Sequence, residues 1–375
     1  MKSNWKIIQL SDVVTIKYGK NQKKVQSNTG TIPIYGTGGL IGYATEALYN
    51  KESILIGRKG TIDKIRYVDF PFWTVDTLFY TIINKEKIIP KFLYYNLSTI
   101  DFMKINEGTT IPSLRTETLN RIELSIPDIQ TQKKIASILS ALDDKIELNN
   151  KINENLEMQA QAIFKSWFVD FEPFGGVMPE DWKMGNLLDI ADYLNGLAMQ
   201  KFKPNDNENS LPVLKIKELR QGFCDDTSDL CSENIKNEYI IHDGDVIFSW
   251  SGSLLVDFWC GGICGLNQHL FKVSSKKYDK WFYYSWTQYH LQKFISIAKD
   301  MATTMGHIKR EELKKSEVLI PNNEDYLKLD GLLSPIYNKI IINRIENKRL
   351  AELRDTLLPK LMNGEIDVDD VQVKE

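Results

Sequence analysis

Cysteine is missing from the first 223 residues of this 375-residue chain; Cys224, Cys231, Cys260 and Cys264 all fall in the second half. Their spacings fit no common zinc pattern, so four free thiols and no metal site are expected. No apolar run approaches the length of a membrane span. The opening MKSNWKIIQL has neither the basic n-region nor the apolar h-region of a secretory signal, which sets a cytoplasmic protein, without disulfides, as the expectation. Histidine is scarce: His242, His269, His290 and His307, none in a metal-ligand spacing. The GTGG run at 36–39 lacks the Lys-Ser/Thr of a phosphate loop, and no GxGxxG joins a strand to a helix. Neither an amino-methyltransferase tetrapeptide nor a nuclease carboxylate–lysine cluster is present. These absences argue for no cofactor and against catalysis by the chain itself.

Neither sign of charge is in large excess, with 47 Lys+Arg against 50 Asp+Glu. The formal net charge is -3, which excludes a protein that coats nucleic acid. Its distribution is uneven: residues 1–128 carry 17 Lys+Arg against 12 Asp+Glu, and residues 173–321 carry 17 against 20. Any nucleic-acid surface is therefore a local patch, foremost on the first segment.

What the chain does have is a long stretch without helix breakers. Residues 131–168 contain no Pro and no Gly. Ile135, Leu139, Leu142, Ile146, Asn149, Asn153, Leu156, Ala160, Ile163 and Trp167 alternate steps of four and three, a heptad seam with two polar positions. As one helix the stretch is roughly 57 Å long, and such a rod needs a partner. An offset of 194 supplies one: Leu329, Leu333, Ile336, Ile340, Asn343, Asn347, Leu350, Arg354, Leu357 and Leu361. Antiparallel pairing that sets Asn149 on Asn347 also sets Asn153 on Asn343, Leu156 on Ile340, Ala160 on Ile336, and Leu142 on Arg354. Buried Asn pairs cost stability and fix register. The competing reading is two amphipathic helices packed on separate cores.

The repeat extends beyond the helices. Trp5, Leu10, Asp12 and Gly19 recur as Trp182, Leu187, Asp189 and Gly196 at an offset of 177. IPIYG (32–36) matches LPVLK (211–215), and SILIGRKGTI (53–62) matches DVIFSWSGSL (245–254). VDTLFYTI (75–82) is set on LNQHLFKV (266–273), and FLYYNL (92–97) on WFYYSW (281–286). GTTIPSLRTETLNRIELSIP (108–127) matches ATTMGHIKREELKKSEVLIP (302–321). The rising offset marks loop insertions in the second copy of a tandem duplication.

Each copy reads as α+β. A short helix near Ser11–Tyr18 is predicted, with Ser11 as N-cap. SILIG, RYVDF and LFYTII read as strands, residues 90–106 as helix with Pro at its first turn, and LNRIELSIP as a closing strand. The fold class expected is α+β: two tandem mixed α/β modules joined by two long helices in an antiparallel coiled coil. The divisions are 1–128 for the first module, 129–172 for a central helix, 173–321 for the second module after a Pro/Gly linker, and 322–375 for a distal helix and acidic tail.

Taken together, IPIYGTGGLIGY, ILIGRKGTI, GTTIPSLRTETLNRIELSIPDIQTQKKIASILSALDDKI and LRDTLLPKLMNGEI resemble the specificity subunit of type I restriction–modification systems, over essentially the whole chain. The resemblance implies two target-recognition modules, each reading one half of a split target in double-stranded DNA. It implies paired helices that set the gap and dock two modification (methyltransferase) subunits, with restriction (motor–nuclease) subunits joining them. Catalysis would belong to those partners. The alternatives are a self-sufficient DNA methyltransferase or nuclease, and a coiled-coil scaffold without DNA.

DNA reading needs donors for base edges and phosphates. In the first module Arg58 and Lys59 sit in a Gly-bounded turn, and Thr109, Thr110, Ser113 and Arg115 form a second loop. Lys17, Lys20, Lys23 and Lys24 would supply phosphate contacts. The bland readings are a solvated hairpin tip, caps of the following turn, and an ordinary polar loop. In the second module the matching positions are Ser249, Ser251 and Ser253, then Thr303, Thr304, His307, Lys309 and Arg310. Lys201, Lys203, Lys215 and Lys217 add a basic stripe, continued by Arg220. Trp250 falls among these matching positions with two readings open, core or base contact; the aromatics of FLYYNL and WFYYSW are assigned to cores. Asn149, Asn153, Asn343 and Asn347 are assigned to coiled-coil register.

Overall fold

The computed structural model describes residues 5–206, 208–300 and 306–368. The chain divides into two compact units, Met1–Asp144 with Leu350–Glu375, and Lys145–Arg349. Two 40-residue helices, the central helix Ile129–Phe168 and the distal helix Asn323–Met362, contribute to both. Their N-termini are capped at positions that repeat at an offset of 194. The Asp128 carboxylate accepts from the Gln130 and Thr131 amides at 2.9 and 3.2 Å, and the Asn322 side-chain oxygen accepts from the Asp325 amide at 2.8 Å. The distal helix continues through Pro335, although an internal Pro costs about 3 kcal/mol, so tertiary packing outweighs local propensity there.

Each unit carries the same sheet. In the first, four antiparallel strands lie in the order Val14–Tyr18, Leu78–Ile83, Ser53–Gly57, Arg66–Val68. In the second the order is Asp192–Asn195, Leu270–Ser274, Val246–Ser249, Leu255–Phe258. A second small sheet pairs Ile32–Gly36 in parallel with Trp73–Thr74, as Ser210–Leu214 pairs with Cys264–Leu266. A two-stranded ribbon closes each copy: Lys6–Gln9 with Glu123–Ile126, and Lys183–Asn186 with Glu317–Ile320.

The repeated residues have physical reasons. Leu10 and Leu187 are fully buried. Asp12 and Asp189 each accept at 2.8 Å from a backbone amide three residues back. A Cβ on Gly19 would stand 2.0 Å from the Val75 carbonyl oxygen, and one on Gly196 would stand 2.3 Å from that of Asn267, so only Gly fits.

Three local expectations need correction. Residues 11–18 are not a helix: a single 3-10 turn, Leu10–Asp12, leads into the strand Val14–Tyr18, and Ser11 caps nothing. The alternation of Val14, Ile16 and Tyr18 is a period of two, which outweighs the helix-start signal. The helix after Pro90 stops at Ser98, and a 3-10 turn, Phe102–Ile105, follows. The second copy's counterpart, Lys280–Asp300, runs for 21 residues. Finally, the ladder pairs Gly57 with Leu78 and Ser249 with Leu270, an offset of 192 at both positions. VDTLFYTI therefore matches NQHLFKVS, one residue on from the ungapped alignment.

The helices also form walls of the module cores. In the first unit Ile135 and Leu139 of the central helix and Leu361 of the distal helix join Ile54, Ile56, Phe79, Phe92 and Leu97. In the second, Ala160, Phe164 and Phe168 join Leu329, Leu333 and Ile340 around Phe248, Trp281 and Phe282. Burial of each such Leu contributes about 1.5–3 kcal/mol. The FLYYNL and WFYYSW aromatics are largely core, as assigned.

Within the second unit the seam is polar at two levels. The Asn149 amide nitrogen donates to the Asn347 side-chain oxygen at 2.9 Å, and that of Asn343 donates to the Asn153 oxygen at 2.8 Å. Asn343 is fully buried and Asn153 nearly so. Arg344 donates to Glu157 at 2.9 Å and to Asp257 at 2.6 Å, tying both helices to a module strand. Within the first unit Arg354 donates across the pair to Asp143 at 2.7 Å, and Asp143 also accepts from the Tyr95 hydroxyl at 2.6 Å. The pairing is antiparallel in each unit.

Truncating Asn343→Ala leaves the buried Asn153 side-chain oxygen without its donor and should cost about 1–3 kcal/mol in urea unfolding. The joint change Asn153→Leu with Asn343→Leu should recover or exceed wild-type stability while loosening alignment. A second expectation concerns pH. Burial holds the His290 imidazole below its ordinary range, and its Nε2 donates to the Glu317 carbonyl at 2.7 Å. A depressed imidazole pKa contributes stability above the unfolded value, about 6.5, that is lost as pH falls through the folded value. Tm should drop between pH 7.5 and 5.5 more in wild type than in His290→Gln.

Candidate nucleic-acid interface

In the first unit the strand Ser53–Gly57 is buried throughout and delivers Arg58 to one end of the sheet. Tyr18 and Leu78 end their strands there too. The loop that follows is tied to the second candidate loop. The Gly60 amide donates to the Pro112 carbonyl at 2.9 Å, the Leu114 amide donates to the Arg58 carbonyl at 2.9 Å, and Lys59 bridges Ser113. Gly60 has φ +95°, which lets the turn close. Asn106 staples the other side, accepting from the Gly108 and Ser113 amides at 2.8 Å each.

The side chains on this junction are mostly cationic. The Arg58 guanidinium lies 5.2 Å over the half-exposed Tyr18 ring and donates to the Asp76 carbonyl at 2.9 Å. That leaves the rest of its fork toward solvent. Lys59, Thr109 and Thr110 are exposed, and Ser113 is half-buried. Arg115 pairs with Glu107 at 3.1 Å while remaining largely exposed. Lys17 and Lys20 flank Tyr18, and Lys23 and Lys24 follow in the same exposed loop. Arg66, on the edge strand of this sheet, lies 5.3 Å over Tyr35 of the second small sheet. Tyr18 and Arg66 carry no motif; only the ladder reveals them.

The second unit repeats the junction with other side chains. The Gly252 amide donates to the Gly306 carbonyl at 2.8 Å, the Ile308 amide donates to the Trp250 carbonyl at 3.1 Å, and Ser251 bridges His307. Two candidates lose their place on the surface. Ser249 is fully buried, and its hydroxyl donates to the Ser251 carbonyl at 3.1 Å; Ser251 is itself buried. Their position inside the strand and bridge excludes them from a solvent-facing patch. Ser253, His307, Lys309 and Arg310 are exposed, whereas Thr303 and Thr304 lie outside the described residues. Trp250 is half-buried beside Phe271.

The basic stripe is also weaker than its composition. Lys201 and Lys203 are exposed. Lys215, however, pairs with Asp229, and Lys217 pairs with Asp225 at 3.2 Å. The Thr227 hydroxyl and then Lys217 hold the Asp225 carboxyl well below the usual carboxylate range. Two of the four lysines of the stripe are therefore already paired with carboxylates.

The cysteines are free thiols. Burial pushes the Cys231 and Cys260 thiols up, to about 11 and about 12. Among the described residues no group of three or more His, Cys, Asp or Glu is placed to hold a metal ion. Nor is any helix among them long and apolar enough to cross a membrane.

Known proteins share this organisation. The sequence profile of the type I restriction modification DNA specificity domain matches residues 2–158 and 179–353. The type I restriction enzyme MjaIX specificity subunit of Methanocaldococcus jannaschii is 29% identical, over 86% of this chain and 80% of its own. The HindI specificity subunit of Haemophilus influenzae is 26% identical, over 80% and 82%. The crystal structure of a type I restriction–modification S subunit from M. genitalium superposes with a TM-score of 0.64 over 96% of both chains, at 16% identity, and so shares the fold. Two profile matches, each ending in one of two paired helices, place this chain in the family of type I restriction–modification DNA specificity subunits.

Proposed function

We propose that the chain is the DNA-recognition subunit of a cytoplasmic type I restriction–modification complex and does no chemistry itself. Residues 1–128 and 173–321 each read one half of a bipartite target. The helices of 129–172 and 322–375 set the gap and dock two modification subunits, which restriction subunits join. The carrying observation is the junction made twice, Lys59 on Ser113 and Ser251 on His307, on the same end of the same sheet with different side chains. A shared scaffold with divergent tips suits two readers of unlike sequence. In the first module Arg58 is the base-reading candidate. Lys59, Thr109, Thr110, Ser113 and Arg115 surround it, and Lys17, Lys20, Lys23 and Lys24 serve phosphates. In the second, Ser253, His307, Lys309, Arg310, Lys201 and Lys203 remain. The Asn149–Asn347 and Asn153–Asn343 pairs hold the register that fixes the gap.

The ruler has a ceiling: about 57 Å corresponds to at most about 17 base pairs at roughly 3.4 Å each. The modules cover part of that length, so the true gap is shorter.

Arg58→Ala should weaken binding of the assembled complex to one half-site by about 1–3 kcal/mol and relax the preference at one base there. Unchanged affinity and preference would remove Arg58 from the interface. Deleting one heptad from each helix keeps the seam in phase and shortens the rods by about 10 Å, or about 3 base pairs. Methylome sequencing should then show both half-sites retained with a shorter gap; an unaltered gap counts against the ruler. A purified chain that methylates or cleaves DNA unaided would favour a self-sufficient enzyme instead.

A further inference from the structure

The two junctions match in backbone and differ in chemistry. Strand registers and bridges place Trp250 on Arg58, Ser251 on Lys59, His269 on Thr77 and His307 on Ser113. The 177 offset places Asn195 on Tyr18. Where the first module stacks a guanidinium on Tyr18, the second has the Trp250 indole, whose Nε1 donates to the Asn195 side-chain oxygen at 3.1 Å. The His269 and His307 rings stand 6.1 and 6.2 Å from the Trp250 ring. Phe271 supports that ring at 5.8 Å. The Gln268 side-chain nitrogen lies 3.4 Å from His269 Nε2, and His269 Nδ1 is buried with no hydrogen-bond partner. Only the cation at Lys309, matching Arg115, is kept.

Side-chain chemistry separates the bases. Arg suits guanine, amides suit adenine, and apolar surface suits the thymine methyl. An indole face flanked by imidazoles and by the Asn195 and Gln268 amides has the second and third of these and lacks the first. A buried ring nitrogen left unpaired is a cost that reorientation toward a ligand recovers. We propose that the second module reads an A·T pair in its half-site through the Trp250, His269 and His307 rings and the adjoining amides, whereas the first reads a guanine through Arg58. The assignment rests on the chain being a DNA specificity subunit. It adds His269, Trp250, Asn195 and Gln268 to the interface and divides the target by chemistry.

The experiment uses the full chain assembled with its modification subunits, with methylated sites mapped by sequencing. His269→Thr and His307→Ser install the first module's residues at matching positions, and His307→Asn keeps a polar planar group in case the smaller residue unsettles the loop. The expected result is loss of an A·T preference, by roughly tenfold or more, in one half-site, with the other half and the gap unchanged. That half must differ from the one altered by Arg58→Ala. Salt dependence gives an independent readout. Lys17→Gln, at a phosphate-serving position, should lower the slope of log affinity against log salt by about 1, and Trp250→Phe should leave it unchanged. A target unaltered by all three histidine variants overturns the ring assignment alone. So does a fall of slope for Trp250→Phe as large as that for Lys17→Gln. A wild-type complex with no bipartite target overturns the functional reading, and the ring assignment with it.

Discussion

Alignment of two long helices is the constraint from which the rest of this molecule follows. An apolar seam of alternating threes and fours tolerates sliding by a heptad, because one Leu substitutes for another at little cost. Carboxamides do not slide freely. Shifting Asn343 away from Asn153 breaks the bond from the Asn343 amide nitrogen to the Asn153 oxygen and leaves a buried donor and a buried acceptor unpaired, at a cost of about 1–3 kcal/mol. Two levels of paired amides therefore convert a permissive seam into one register. The guanidinium of Arg344, shared between Glu157 and Asp257, then ties that register to a strand of the second sheet.

The sheets extend the same logic to the junctions proposed as the recognition surface. Each central strand is buried on both faces, so its register cannot slip without turning its side chains over. That rigidity fixes where the strand ends and the exposed loop begins. Gly60 and Gly252, both at positive φ, close the turn against the neighbouring loop. The loop residues between are free to differ, and they do: Arg58 and Lys59 in one copy, Trp250 and Ser251 in the other. The packing resides in what the copies share; the side chains proposed to read DNA are what they do not.

Much of this was legible in the sequence, for identifiable reasons. The central helix announces itself by lacking Pro and Gly across a sustained period, and the distal helix by repeating the Asn pair. The duplication is visible because Leu10, Asp12 and Gly19 each meet a demand that the second copy meets again. Local features fared worse. The stretch from Ser11 to Tyr18 begins like a helix and continues like a strand, and only pairing with Leu78–Ile83 decides it. The two halves of each junction read as separate loops in the sequence, because nothing in the order of residues says that Lys59 meets Ser113. A one-residue error in the ungapped alignment hid the match of His269 with Thr77, and with it the ring cluster. Ser249 and Ser251 looked like surface hydroxyls, since burial at a strand end is a tertiary fact.

The first unit is assembled from both extremities of the chain. Leu361 and Met362 lie in the same core as Leu10 and Phe92. A ribosome releases the amino-terminal residues of that core hundreds of peptide bonds before the residues that close it. Newly made chains must therefore hold an open, apolar-lined first module while the remainder is translated. Early termination near residue 350 would leave a module with all its strands and no lid. Chaperone demand and sensitivity to truncation should accordingly fall on the amino-terminal module, although the missing residues belong to the other end.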